Sequence, residues 1–311
     1  MPLNKSYAES KTVYLGGMPI GFSIAQRGAE VVGISDVLTE SGVVSPSKES
    51  GIKVGDLILY VGGLEVNNAK DLAVAIIDGK EKKVEVKRHG ENIFFNILPV
   101  KDVYGQYKLG LFVREEINGI GTTTFLTERA FASLGHPILN DKGEILELKR
   151  GDVYNSYISS IKKGERGCPG ELHGVFISKA SIGKIKQNTN VGVFGEFNCK
   201  INTENLTKIE VGEGKIGNAC IYSTIDGKDP KKYQISIVKA DSIGNSTKNF
   251  VIKIEDQDLL SKTNGIVQGM SGSPIVQDGK LVGAVTHVFI NDPTRGFGVS
   301  IQNMYNVFNN I

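Results

Sequence analysis

The 311-residue chain has no tryptophan, and its cysteines, histidines and methionines number only three, four and four. Cys168, Cys199 and Cys220 form no Cys-x-x-Cys pair, so neither a zinc site nor a disulfide framework is indicated. No metal-ligand spacing, phosphate loop or dinucleotide fingerprint occurs, so neither a cofactor nor a metal is expected. No run of about 18 apolar residues occurs, and the opening MPLNKSYAES has neither a basic nor an apolar leader segment, so no membrane-spanning helix is expected in this sequence. Charge is nearly balanced, 36 Lys+Arg against 34 Asp+Glu, with no basic stripe or interleaved aromatic ladder. A nucleic-acid partner is therefore unsupported. Repeats of array type are absent.

Glycine, by contrast, is abundant at 38 residues, and short Val/Ile/Phe/Tyr runs alternate with turn signals. That rhythm predicts a mostly β chain of barrels or sandwiches, long enough for two or three domains. Strands are expected at Glu30–Ile34, Leu57–Val61, Lys83–Arg88 and Asn92–Leu98, with a short helix capped by Asn68 and turned inward at Leu72 and Ile76. The segment SPSKESGIKVGDLILYVGG, residues 45 to 63, resembles the Gly-Asp turn and following strand of PDZ domains, with Ser50 where alanine is usual. The resemblance implies a PDZ-like module over residues 1–101. It also implies a peptide-binding loop at Ile20, Gly21, Phe22 and Ser23, whose N–H groups would receive a terminal carboxylate.

From residue 102 to 311 the pattern is a series of short strands, with two helical periods. One is Val153, Tyr154, Tyr157, Ile158 and Ile161, for which strand alternation is equally compatible. The other is Ile301, Met304, Tyr305 and Phe308, which predicts a terminal helix.

GIVQGMSGSPI, residues 265 to 275, carries the chemistry. In a Gly-x-Ser-Gly turn the glycines permit sharp bends and close approach, a setting for an exposed nucleophilic serine. A serine hydroxyl needs a base, usually histidine, and that base needs an orienting group. His89 reads as a solvated turn residue, His173 as a strand start, and His287 as a core or near-site residue within LVGAVTHVFI. His136, in FASLGHPI between Gly135 and Pro137, stands at a strand end or tight loop suited to an exposed base. Ser273 is the rival nucleophile, but Pro274 restricts its backbone.

Together LGGMPIGF, GTTTFLTERAFASLGHPI, GIVQGMSGSPI and GAVTHVFINDP resemble the SpoIVB-type sporulation serine peptidases, whose protease domain is related to trypsin-like double β-barrels. The resemblance implies a serine endopeptidase with His136 as base, Ser271 as nucleophile and the Gly269 and Ser271 amides as oxyanion hole. For the acid it points to Asp256, with Asp258 as a near neighbour, although either stands closer to the serine than the acid of trypsin-like enzymes does. By the same correspondence Gly265 forms the base of the P1 pocket and supplies no charge. It further implies cleavage of a membrane-associated sporulation regulator, and of the protein itself, with self-recognition through the PDZ-like module. That would occur in the space between forespore and mother cell, reached by a chain with an N-terminal membrane anchor that this sequence lacks. Two readings compete: a non-catalytic PDZ and protease-like scaffold that tethers partners, and, more weakly, an esterase.

Overall fold

The computed structural model describes residues 11–140, 143–241 and 247–311. The chain divides into two units. Of the described residues the larger takes 11–23, 118–140, 143–146, 151–241 and 247–311. The smaller takes Ile24–Ile117 with Glu147–Arg150. The boundary expected at residue 101 is thus displaced, because residues 11–23 pair into the larger unit: Tyr14 lies opposite Leu126 and Val13 opposite Ile209.

In the larger unit the strands Gly217–Ser223, Lys231–Ala240, Phe250–Ile254, Asp292–Ser300, Lys280–Phe289 and Pro274–Gln277 pair antiparallel in that order, and the last returns to the first, closing a barrel. Closure removes the unpaired edges that an open sheet would expose. Alternation supplies the interior: Tyr233, Ile235 and Ile237 on one strand and Phe250, Ile252 and Ile254 on the next are all buried. A second sheet region pairs Ala130–Ser133 with Leu111–Leu126 and with Gly192–Phe197. Its apolar core gathers Phe125, Ala132, Phe194, Leu281 and Met304. The terminal helix forms as expected, Ile301–Phe308, capped by Ser300, and Phe308 meets Phe125 edge-on at 4.9 Å.

Residues 153 to 161, compatible with either period, lie in the strand Leu148–Lys162. Val153, Ser156 and Ile158 are buried among more exposed neighbours, and β-branched and aromatic side chains suit the pleat. The expected carboxylate loop is not a loop. Ile20–Ser23 runs inside the strand Pro19–Ile34, with Ile20, Phe22 and Ser23 buried. A Cβ on Gly21 would lie 2.3 Å from the Phe176 ring and 2.5 Å from Ser156 Oγ. An apolar Ile-Gly-Phe run serves a crowded strand as readily as a binding turn, and here packing claims it.

The smaller unit has its own core: Val31, Ile58, Val61, Leu72, Val84, Val86 and Ile97. Strand Leu57–Val61 pairs with Lys82–Arg88, which pairs in turn with Glu91–Ile97. The helix Ala69–Ala75 starts at Asn68, whose side chain accepts from Asp71 N at 2.8 Å while the Asp71 carboxylate accepts from Asn67 N at 3.0 Å, a reciprocal cap. A second short helix, Pro46–Ser50, was not expected from the sequence. The Gly55-Asp56 turn buries Asp56, which accepts two bonds from Arg88 and one from Lys53 N.

Candidate active site

The turn from Gly269 to Ser273 is held from several sides. Thr122 N donates to Ser271 O at 3.0 Å, Gly272 N to Val285 O at 2.8 Å and Val285 N to Ser273 O at 2.9 Å. Thr122 Oγ1 donates to Gly269 O at 2.8 Å, and Thr124 Oγ1 to Gly272 O at 2.8 Å. Gly272 has φ +95, and a Cβ there would lie 2.0 Å from Thr122 O and 2.5 Å from Leu134 N, so only glycine fits. Neither the Gly269 nor the Ser271 N–H donates to an acceptor among the described residues. Two such donors beside a serine are what an oxyanion hole requires.

Ser271 is half-buried, and its Oγ donates to Thr286 O at 2.7 Å. Ser273 is fully buried, bonded through Oγ to Met270 O at 2.6 Å and Ser223 Oγ at 2.9 Å, which removes it as a nucleophile.

His136 follows two successive left-handed residues, Leu134 (φ 66) and Gly135 (φ 70), that turn the chain out of the strand Ala130–Ser133. A Cβ on Gly135 would come within 3.0 Å of Thr286 Cγ2, so the histidine loop and the nucleophile turn converge on the same threonine. His136 Nδ1 bonds Pro137 O at 2.8 Å, an arrangement that leaves Nε2 with its lone pair. The His136 and His287 rings stand 4.8 Å apart at 38°. Burial holds the His136 pKa below the ordinary 6.5, against the opposing effect of the Pro137 carbonyl. At the exposed His287, partial desolvation, His136 and Lys248 push the value down to about 4. A base with a lowered pKa stays neutral further into acid. The acid limb of acylation at Ser271, read from labelling rate against pH, is therefore expected below pH 6.5, and a midpoint above it would contradict the burial.

The acid candidates are placed otherwise than the sequence suggested. Asp256 caps the helix Gln257–Thr263: one carboxylate oxygen accepts from Leu259 N at 3.0 Å, the other from Gln234 N at 3.2 Å. Asp258 is exposed and paired with Lys262 at 2.7 Å. Among the described residues neither bonds His136. An acidic residue just before an apolar helical turn is a capping signal, and that role prevails here. His136 Nδ1 bonds the Pro137 carbonyl instead. No side-chain pattern could have indicated it, since the partner is backbone. His287 had been read as core or near-site, and the structure places it near the site.

Two expectations follow for Asp256. Asn keeps a cap oxygen, so Asp256→Asn retains turnover within a few-fold, whereas loss of a catalytic acid by this change would cost about 10⁴-fold. Asp256→Ala lowers stability by about 1 kcal/mol, measured by urea unfolding.

The turn that carries Ser271 is also fastened to a neighbouring strand, Glu171–Phe176. Gln268 N donates to Gly170 O at 2.8 Å, and Leu172 N donates to Gln268 O at 2.9 Å. Residues 105–305 match the family model described as SpoIVB peptidase S55. Among solved structures the chain is similar to the Rv3671c protease of M. tuberculosis in its inactive form, at 12% identity and a TM-score of 0.34, over 62% of this chain and 84% of that one. It is similar also to human heparin binding protein, at 11% identity and 0.35, over 61% and 84%. A third is the HtrA-type protease AlgW with a decapeptide, at 15% identity and 0.34, over 67% and 54%.

Proposed function

From the premise that this chain belongs to the SpoIVB peptidase S55 family and is a serine peptidase, we propose that Ser271 and His136 form its catalytic pair, with the Gly269 and Ser271 amides as oxyanion hole. The observation that carries this is the two amides without acceptors among the described residues, on the turn that presents Ser271, beside the histidine loop. In this mechanism Ser271 Oγ leaves Thr286 O, gives its proton to His136 Nε2 and bonds the scissile carbonyl carbon. The carbonyl oxygen takes up charge between the two N–H groups, each donor contributing on the order of 10²- to 10³-fold. The Pro137 carbonyl holds His136 Nδ1–H and steadies the imidazolium. The imidazolium then protonates the leaving amine, and water releases the acyl group by the reverse route.

Family membership supports a protein substrate in sporulation signalling, a membrane-associated regulator met between forespore and mother cell by an anchored enzyme, with self-cleavage as a second target. A peptide terminus belongs to the smaller unit as a PDZ-like module, at a different place from residues 20–23. A cavity of about 580 Å³ lies between the helix Ala69–Ala75 and the start of the strand Leu111–Leu126, lined by Val37, Leu72, Ile76, Leu109 and Leu111. Ser35 N donates to Gly110 O at 3.0 Å at the start of that strand. An extended peptide end adds there as a strand.

Fluorophosphonate labelling of the purified protein, followed by peptide mapping, tests the catalytic pair. An adduct on Ser271 that requires His136 is expected. The tethering scaffold is the second reading, favoured by one observation, that among the described residues Ser271 Oγ bonds Thr286 O and not His136; absence of any adduct and of serine-dependent turnover in the folded protein would favour it over the first.

A further inference from the structure

Beside Gly269 lies a cavity of about 400 Å³ that the reaction scheme leaves unused. Ile120, Glu171, Leu172, His173, Gln268 and Gly269 line it. Leu172 is its buried floor, and a Cβ on Gly269 would lie 3.0 Å from Leu172 Cβ. Glu171 and His173, on either side of Leu172 in the strand, are exposed. Thr286 and this cavity flank the nucleophile differently: Thr286 O receives Ser271 Oγ, while the cavity begins at Gly269, the other oxyanion donor. A substrate whose acyl part runs along Thr286 and whose carbonyl oxygen sits between the two amides must carry its leaving-group residues past Gly269.

We propose that this cavity binds the leaving-group side of the substrate and that Glu171 selects a lysine or arginine side chain there. The inference rests on the serine-peptidase reading above. Glu171 is the one carboxylate among the lining residues; the others are neutral, glycine or apolar apart from the imidazole of His173. Its cross-strand neighbour is Lys162, yet Glu171 forms no ion pair among the described residues. A cation brought by the substrate finds an uncommitted acceptor beside an apolar floor that takes the methylene stem. The strand carrying Glu171 is also the one hydrogen-bonded to Gln268, so the recognising carboxylate and the oxyanion turn are mechanically one piece.

Partitioning of the acyl-enzyme isolates this side of the site. Acylation by p-nitrophenyl acetate forms the Ser271 ester and releases p-nitrophenol. An added amine then competes with water: its nitrogen bonds the acyl carbon, its proton passes to His136 Nε2 and on to Ser271 Oγ as the C–Oγ bond breaks, and an amide is released. With argininamide, leucinamide and glutamic acid α-amide as amines, the aminolysis-to-hydrolysis ratio is expected to favour argininamide by about three- to five-fold, the scale of a partly exposed ion pair. Glu171→Gln should bring argininamide to the level of leucinamide, and Glu171→Lys should favour the glutamic acid amide. Equal ratios for the three amines in the parent, or an arginine preference unchanged in Glu171→Gln, would overturn the assignment. Absence of p-nitrophenol release above that of Ser271→Ala would overturn the Ser271 assignment and this inference with it, whereas release with flat ratios overturns the inference alone.

Discussion

Ser271→Ala is expected to lower kcat/KM by about 10⁵- to 10⁶-fold, and His136→Ala by a similar factor, with no further loss in the double variant, because nucleophile and base act as a unit. The residue of activity that survives comes from binding and from the two amides, which both variants keep. Folding should hardly change: Ser271 is half-buried and its hydroxyl makes one bond, to Thr286 O, worth about 1 kcal/mol. Ser273→Ala provides the contrast. That hydroxyl bonds both Met270 O and Ser223 Oγ in a fully buried position, so its loss costs stability while the chemistry persists. Steady-state kinetics on a cleaved peptide together with urea midpoints separate the two. A Ser271→Ala variant within tenfold of the parent would transfer the nucleophile elsewhere.

Asp56→Ala should be the most damaging single change in the smaller unit, lowering its stability by about 3–5 kcal/mol. Only 1% of the Asp56 side chain is exposed, and it accepts from Arg88 Nε at 2.6 Å, Arg88 Nη2 at 2.8 Å and Lys53 N at 2.9 Å. Arg88 in turn reaches Gly51 O at 2.9 Å, so one guanidinium joins the glycine turn, the buried carboxylate and the strand Lys82–Arg88. Removing the carboxylate strands a largely buried cation and a backbone N–H together. The loss is a large share of the stability of a small domain, commonly about 5–15 kcal/mol. Hydrogen exchange should show it concentrated in residues 24–117. Loss below about 1 kcal/mol would mean that water replaces the carboxylate without difficulty.

How far the sequence foretold this molecule depended on whether a feature was local. Phe250–Ile254 and Leu57–Val61 were legible to the residue because alternation and flanking turns agree. The Asn68 cap and the helix Ile301–Phe308 were legible for the same reason. Ile20–Ser23 misled because four residues carry no record of what packs on them, and Phe176, which crowds Gly21, is remote in sequence. Ser271, His136 and the glycines around them announced themselves through turn chemistry. Asp256 announced itself too, but a carboxylate before Leu259-Leu260 has the same sequence whether it caps a helix or faces a histidine, and only the bonds to Leu259 N and Gln234 N distinguish the two. The Pro137 carbonyl was beyond reach, since every residue owns one.

The clamps on the nucleophile turn have a consequence in time. Thr122 and Thr124 reach it from a strand translated long before Ser271, whereas Val285 and Thr286 reach it from a strand translated after. During synthesis the serine therefore emerges with half of its supports already made and the other half still to come. The turn that carries Ser271 is therefore complete only after the strand Lys280–Phe289 has been made, so the order of residues along the chain sets the order in which its supports can form.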